Sequence, residues 1–151
     1  MKEYKGWGNI TAYSTLLTLK GIMSSITPGR ELSREQQTEI TRIIVKAGQM
    51  LAQFGAESRI IEQTTVRLGL ALGLESVEMA ISSSAIVLTS LYQGSCVTTT
   101  RRVREHGINM QVVCEIQRIC IMAEKALIGA REVRQRLDGI VPFHYHPWLV
   151  V

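Results

Sequence analysis

Apolar residues recur at helical spacing in the first patterned part of the chain, which begins at Ser33. Ser33 and Gln36 have the form of a capping box, in which each side chain satisfies a free backbone N–H. One apolar stripe follows at intervals of three and four, formed by Ile40, Ile43, Ile44, Ala47, Leu51 and Phe54. The pattern predicts a helix that ends at Gly55.

A second stripe predicts a helix over about 57–72, directly after a one-residue link at Ala56. Its apolar face holds Ile60, Ile61, Thr64, Leu68 and Leu72. Because the link is so short, we expect a tight helical corner or hairpin between the two helices.

The period of the pattern then changes to two, which is typical of strands. Val77, Met79 and Ile81 alternate with polar or small neighbours, and a polar break separates them from a continuous apolar run. A turn with the sequence Tyr-Gln-Gly-Ser precedes a threonine-rich segment. The predicted strands are 75–81, 85–91 and 96–103. Their short connections favour an antiparallel meander.

Two further helices are predicted after the strands. Asn109 can cap a long helix that extends to about Ile128. Its predicted buried face consists of Met110, Val113, Ile116, Cys120, Ala123 and Leu127. A short helix from about Arg131 to Leu137 would bury Val133 and Leu137. The order helix, helix, three strands, helix, helix predicts an α+β fold in which the helices pack on one face of a small antiparallel sheet.

Two segments lie outside this pattern. Residues 1–33 have weak periodicity and are interpreted as an N-terminal extension whose order the pattern leaves open. Residues 142–151, with the sequence PFHYHPWLVV, are uncharged and increasingly apolar. They are shorter than the roughly 20 residues that a membrane-spanning helix needs. The predicted domain occupies residues 34–141.

The net charge of +4 does not by itself indicate a nucleic-acid-binding protein, because the basic residues do not form a continuous track. They are concentrated towards the two ends, and the part between 31 and 97 is mildly acidic. The 46% hydrophobic content is typical of one domain with a core, and the three cysteines are too few for a disulfide framework. No nucleic-acid partner is expected.

No metal, cofactor or catalytic residue is predicted. His144 and His146 could supply half of a zinc site, but Cys114 and Cys120 would lie on different faces of a helix. Both cysteines are interpreted as small hydrophobic residues. No local motif indicates that any cysteine is a nucleophile.

Three clusters of polar residues are candidates for binding. Ser82 to Ser84 could hold a polar ligand, or could form a turn with local hydrogen bonds. Glu57, Arg59 and Glu62 could be functional, or could stabilise a helix through its dipole and an ion pair. The guanidinium groups of Arg101, Arg102 and Arg104 could bind an anion or an acidic partner, or could form a solvated edge. Strand alternation would separate Arg101 from the other two.

Several short motifs occur in a characteristic order between about residues 34 and 151. They are Gly55 to Ser58, Arg67 to Gly69, Ala71 to Gly73, Glu78 to Thr89, Thr98 to Arg101, Gly107 to Met110 and Pro147 to Val150. In this order and spacing they resemble the N-terminal domain of the bacterial threonine/serine exporter family, especially its YjjP-like branch.

The resemblance implies a cytoplasmic domain that precedes the membrane helices of an inner-membrane secondary exporter. The implied substrate is a small polar metabolite, which is threonine or serine in one branch and the dicarboxylate succinate in the other. A small membrane-protein partner of the YjjB type is implied as well. Residues 142–151 are then expected to begin a first transmembrane helix that is cut short.

Nine residues are carried over as candidates for binding a substrate or a partner. They are Glu57, Ser58, Arg59, Glu62, Ser82, Ser83, Ser84, Arg101 and Asn109. No covalent chemistry is expected of them.

Two other functions remain open from the residues alone. A hydrolase acting on a small metabolite or peptide would draw on Glu57, Ser82 to Ser84, Cys96 and His106, with a nucleophile and a base in hydrogen-bond reach. An anion-binding module would use Arg101 to Arg104.

Overall fold

A computed structural model describes residues 31–104 and 107–140 of the chain. From Leu32 onward they belong to one compact unit. Its elements are α1 (Arg34–Gln53), α2 (Ser58–Ala71), β1 (Ser76–Ile81), β2 (Ala85–Tyr92), β3 (Ser95–Arg102), α3 (Met110–Glu124) and α4 (Ala130–Asp138). This order confirms the predicted α+β fold. Most of the N-terminal extension, the apolar segment 142–151 and the three histidines lie outside the described residues.

The start of α1 confirms the predicted capping box. Ser33 Oγ accepts a hydrogen bond from the backbone N–H of Gln36 at 3.2 Å, and Gln36 Oε1 accepts one from the Ser33 N–H at 2.9 Å. The helix then buries the predicted aliphatic stripe, of which Ile44 and Leu51 are fully buried. It ends at Gln53, and Gly55 adopts a φ of 85° that favours glycine.

The three strands form an antiparallel meander in the order β1-β2-β3. The turn between β2 and β3 has positive φ at both Gln93 and Gly94, as a two-residue hairpin of primed type requires. Ile86 and Leu88 of the central strand are fully buried on one face, against α1. Val87 points the other way and is exposed. The described helices therefore cover one face of the sheet, as predicted.

A polar cluster is buried where α1 crosses the sheet, and the sequence pattern did not indicate it. Gln37 Nε2 donates to the backbone oxygen of Ser95 at 2.8 Å. The hydroxyls of Thr41 and Ser90 lie 2.7 Å apart and share a hydrogen bond. Because an unpaired buried polar group is costly, these bonds favour one position of α1 on β2 and β3.

The second pair of helices corrects part of the predicted core. Helix α3 ends at Glu124 rather than near Ile128, because Ala126 turns the chain with a φ of 56°. Leu127 therefore leaves the helical stripe and is exposed, as is Met110 in the first turn. The prediction that these two residues are buried is wrong.

Cys114 is also exposed, which contradicts its interpretation as a small core residue. It lies beside the buried stripe of α3 rather than on it, whereas Cys120 is buried as expected. In α4, Val133 and Leu137 are buried, as predicted. None of the helices that the structure describes is both long enough and apolar enough to cross a membrane.

Candidate functional site

The serine turn and the start of α2 meet at a small hollow of about 150 Å³, which Ser58, Ser82 and Ser83 line. The Ser82 hydroxyl accepts a hydrogen bond from the Ala85 N–H at 3.1 Å and lies 3.0 Å from the Ala85 oxygen. These hydrogen bonds are local to the turn. A turn with local hydrogen bonds was one of the two interpretations of these serines from the sequence. The backbone oxygen of Ser84 also accepts a hydrogen bond, from the N–H of Val103.

The charged residues at the start of α2 do not form the ion pair that was one interpretation of the sequence. Glu57 is the N-cap residue, but its side chain makes no capping hydrogen bond. Arg59 and Glu62 are exposed, and no ion pair joins them among the described residues. An arginine three residues before a glutamate has the less favourable orientation on a helix, and both side chains are solvated. Of the two interpretations of these residues, the one that pairs Arg59 with Glu62 is therefore wrong.

An ion pair that the sequence did not indicate joins α2 to α3 instead. Nε and Nη2 of Arg67 donate to the two carboxylate oxygens of Glu124 at 2.6 and 2.5 Å. This bidentate hydrogen bond raises the pKa of Arg67. Below it, burial is the main cause that raises the pKa of the Cys120 thiol to about 11, and the nearby Glu124 charge adds to the effect.

Asn109 caps α3, as predicted. Its Oδ1 accepts hydrogen bonds from the N–H groups of Gln111 and Val112 at 3.2 and 3.4 Å. The segment before it is tied to the end of α1, because Gly107 donates to the Gln53 oxygen at 2.9 Å. The side-chain oxygen of Asn109 is therefore used by the helix start.

Arg101 and Arg102 point to opposite faces of β3, as strand alternation predicted. Arg101 pairs in register with the buried Ile86, which places it on the face that the helices cover. Arg102 belongs to the open face. Arg104 lies beyond the end of β3, so the strand does not determine which way it points.

Arg101 reaches a groove between α1 and α4 with a volume of about 210 Å³. We call it the basic groove, and its charged residues are Glu39, Arg42, Lys46, Arg101, Arg134 and Asp138. Its apolar lining is formed by Ile43 and Leu137, which are 4% and 1% exposed. The sequence did not indicate this groove, because α1 and α4 are about 90 residues apart in the chain.

Two ion pairs connect the walls of the basic groove. Lys46 pairs with Asp138, and Arg134 pairs with Glu39. The hydrogen bond from Lys46 is the largest cause that holds the pKa of Asp138 below its ordinary value, and the charges of Lys46 and Arg134 act in the same direction. Arg42 lies 4.0 Å from Glu39, at the limit of an ion pair.

Two of the groups proposed for a hydrolase, Cys96 and the serine turn, lie far apart. Cys96 pairs with Leu91, whereas Ser82 to Ser84 precede the opposite end of β2, about 20 Å away along the strand. His106 is outside the described residues. Within 31–104 and 107–140, no three or more His, Cys, Asp or Glu side chains come together as metal ligands would.

Comparison with known sequences identifies the family of the chain. Residues 42–151, which are most of its length, match the threonine/serine exporter family, ThrE. The chain belongs to the threonine/serine exporter family. The resemblance carried by the short motifs is therefore confirmed. No solved structure matches the chain.

Two similar relatives of this exporter-family chain are named "Probable succinate transporter subunit YjjP". The Klebsiella aerogenes protein is 46% identical over 121 residues, which cover 80% of this chain and 47% of the relative. The Escherichia coli K12 protein is 46% identical over 119 residues, covering 79% and 46%. An uncharacterized protein of Haemophilus influenzae is 43% identical over 120 residues, covering 80% and 40%. The chain thus spans less than half the length of these relatives.

Proposed function

We propose that the chain supplies the cytoplasmic domain of an inner-membrane exporter of small polar metabolites, with a succinate-like dicarboxylate as the preferred substrate and threonine or serine as the alternative. The observation that carries the proposal is the 46% identity, over four-fifths of the chain, to two relatives named as succinate transporter subunits. The match to the exporter family over residues 42–151 supports the wider class of transporter.

The charge of the domain favours the dicarboxylate over the amino acids. Four cationic side chains and two carboxylates line the basic groove, so two positive charges are in excess. A dicarboxylate carries two negative charges at neutral pH, whereas threonine and serine are zwitterions without net charge. Of the nine candidate residues from the sequence, Arg101 is therefore the one that we propose contacts the metabolite.

The proposed transporter works with a second protein. The two relatives are named subunits, which supports an assembly, and we propose a small membrane partner of the YjjB type. In this arrangement the domain of residues 34–141 faces the cytoplasm and residues 142–151 lead into the membrane. The arginines of α4 lie just before that segment, and basic residues flank membrane segments on the cytoplasmic side.

The proposal is tested by efflux from bacteria that lack their own succinate and threonine exporters. Cells expressing the full reading frame that contains this chain, with or without its membrane partner, are loaded with labelled succinate or labelled threonine. We expect labelled succinate to leave fastest when both proteins are present. If neither label leaves faster than it does from cells without these proteins, the proposed transporter is contradicted. If only labelled threonine leaves faster, the proposed dicarboxylate substrate is contradicted.

A further inference from the structure

We propose that the basic groove is a dicarboxylate-binding site on the domain, in which Arg101 and Arg42 contact the two carboxylates of one small dianion. This inference rests on the proposed function, because it assigns the exporter's substrate class to a defined place. The geometry that leads to it is the meeting of β3, α1 and α4 around one concave surface.

The first observation is that Arg101 is available to bind a ligand. Its guanidinium group makes no hydrogen bond and no ion pair with any other described residue, although two carboxylates line the same groove. A guanidinium group offers several N–H donors in a plane that matches a carboxylate. Its inward direction is fixed by strand pairing with Ile86, so the group lines the groove rather than the open face of the sheet.

Arg42 is the second available cation, because Glu39 is already engaged. Oε1 of Glu39 accepts from Arg134, and only its Oε2 lies near Arg42, at 4.0 Å. The Arg42 side chain is 62% exposed and can turn towards a ligand. A bound carboxylate would thus give Arg42 a closer partner than it has within the described residues.

The other four charged residues of the basic groove pair with one another and hold its two helices together. Lys46 with Asp138, and Arg134 with Glu39, each join α1 to α4, so the groove does not need to assemble when a ligand arrives. Since these four charges neutralise one another, the two positive charges in excess correspond to Arg42 and Arg101. That excess equals the charge of one dicarboxylate.

The size and lining of the groove also suit a short dicarboxylate. Its volume of about 210 Å³ is below the range of roughly 300–1,000 Å³ that is usual for drug-sized ligands. Ile43 and Leu137 form its apolar floor but expose little surface, so the charged side chains supply most of the contacts. A zwitterionic amino acid would bring an ammonium group to a site with excess positive charge.

The test is a titration of the ¹⁵N-labelled 151-residue chain with succinate at low salt, followed by NMR of backbone amides. Acetate, threonine and inorganic phosphate are titrated separately. We expect succinate to shift amides in α1, α4 and the end of β3, with acetate and threonine binding at least about tenfold more weakly, since each lacks the second charge-assisted contact.

Arg101→Gln and Arg42→Gln should each weaken succinate binding by about tenfold, which corresponds to the loss of one charge-assisted hydrogen-bonded contact. Arg118→Gln is the matched control, because Arg118 is 73% exposed on α3 and is not in the groove. Both groove arginines are exposed, so an unchanged melting temperature will show that the variants fold.

Three results would overturn the site. They are unchanged succinate affinity in both groove variants, an equal loss in Arg118→Gln, or phosphate binding as tightly as succinate. If cells export succinate but the chain shows no such binding, the site is refuted and the transporter stands. If succinate binds but is not exported, the transporter is refuted and the binding site stands.

Discussion

The close packing of α2 on the sheet can be tested with one added methyl group at Gly69. A Cβ atom at Gly69 would lie 2.4 Å from Cγ2 of Val77 and 3.1 Å from Cδ1 of Ile44. Val77 is β-branched and buried, so it has little freedom to turn away. Overpacking of a core destabilises a protein by about 1–3 kcal/mol. Alanine in place of a glycine inside a helix stabilises the helix by about 1 kcal/mol. We expect Gly69→Ala to lower the free energy of unfolding by up to about 2 kcal/mol.

Urea unfolding followed by circular dichroism measures this free energy for the wild type, Gly69→Ala, Val77→Ala and the double variant. Val77→Ala alone should be destabilising, because it removes buried methyl groups. In that background, Gly69→Ala should be neutral or stabilising, since the clash is gone and the gain in helix propensity remains. If Gly69→Ala stabilises the wild type, or destabilises both backgrounds equally, the close contact with Val77 is not what limits this position.

Three further predictions concern titratable groups. At pH 8 a thiol reagent should modify the two exposed cysteines quickly and Cys120 only after unfolding, because Cys120 is buried and its pKa is about 11; equal rates would contradict this. Glu124→Gln should cost only about 0.2–1 kcal/mol in urea unfolding, and less at high salt, since the pair with Arg67 is partly exposed; a salt-independent loss would contradict this. The pKa of Asp138, followed by NMR, should lie below its ordinary value of 3.8 and should rise in Lys46→Met. The Asp138 carboxylate therefore stabilises the fold above pH 3.8, and this stabilisation is lost as the pH falls through the lowered pKa. An unchanged pKa in Lys46→Met would contradict the role of Lys46.

The fold was largely predictable because its signals are local. The capping box at Ser33, the change of period at Val77 and the turn at Gly94 each depend on a few neighbouring residues. The exposed positions of Met110 and Leu127 were not predictable in this way. They depend on which side of α3 meets the other helices and on where the chain leaves the helix.

The candidate site was predictable only where one strand determines it. Alternation along β3 separated Arg101 from Arg102, and the structure agrees. The sequence could not show that Arg101 would meet residues of α1 and α4, because the ion pair of Lys46 with Asp138 spans 92 positions. Such pairs depend on how the helices pack against each other, and local sequence patterns carry no information about that packing. The buried hydrogen bond of Thr41 to Ser90 was missed for the same reason.

We propose above that this domain serves the export of a dicarboxylate. It is tested most directly by a chimera in which the 119 matching residues of this chain replace their counterparts in the Escherichia coli relative. The chimera is expressed in cells that lack that relative, and efflux of labelled succinate is measured. We predict that the chimera restores succinate efflux and that Arg101→Gln within it weakens the restoration. A chimera that reaches the membrane at the normal level but restores no succinate efflux would contradict the claim.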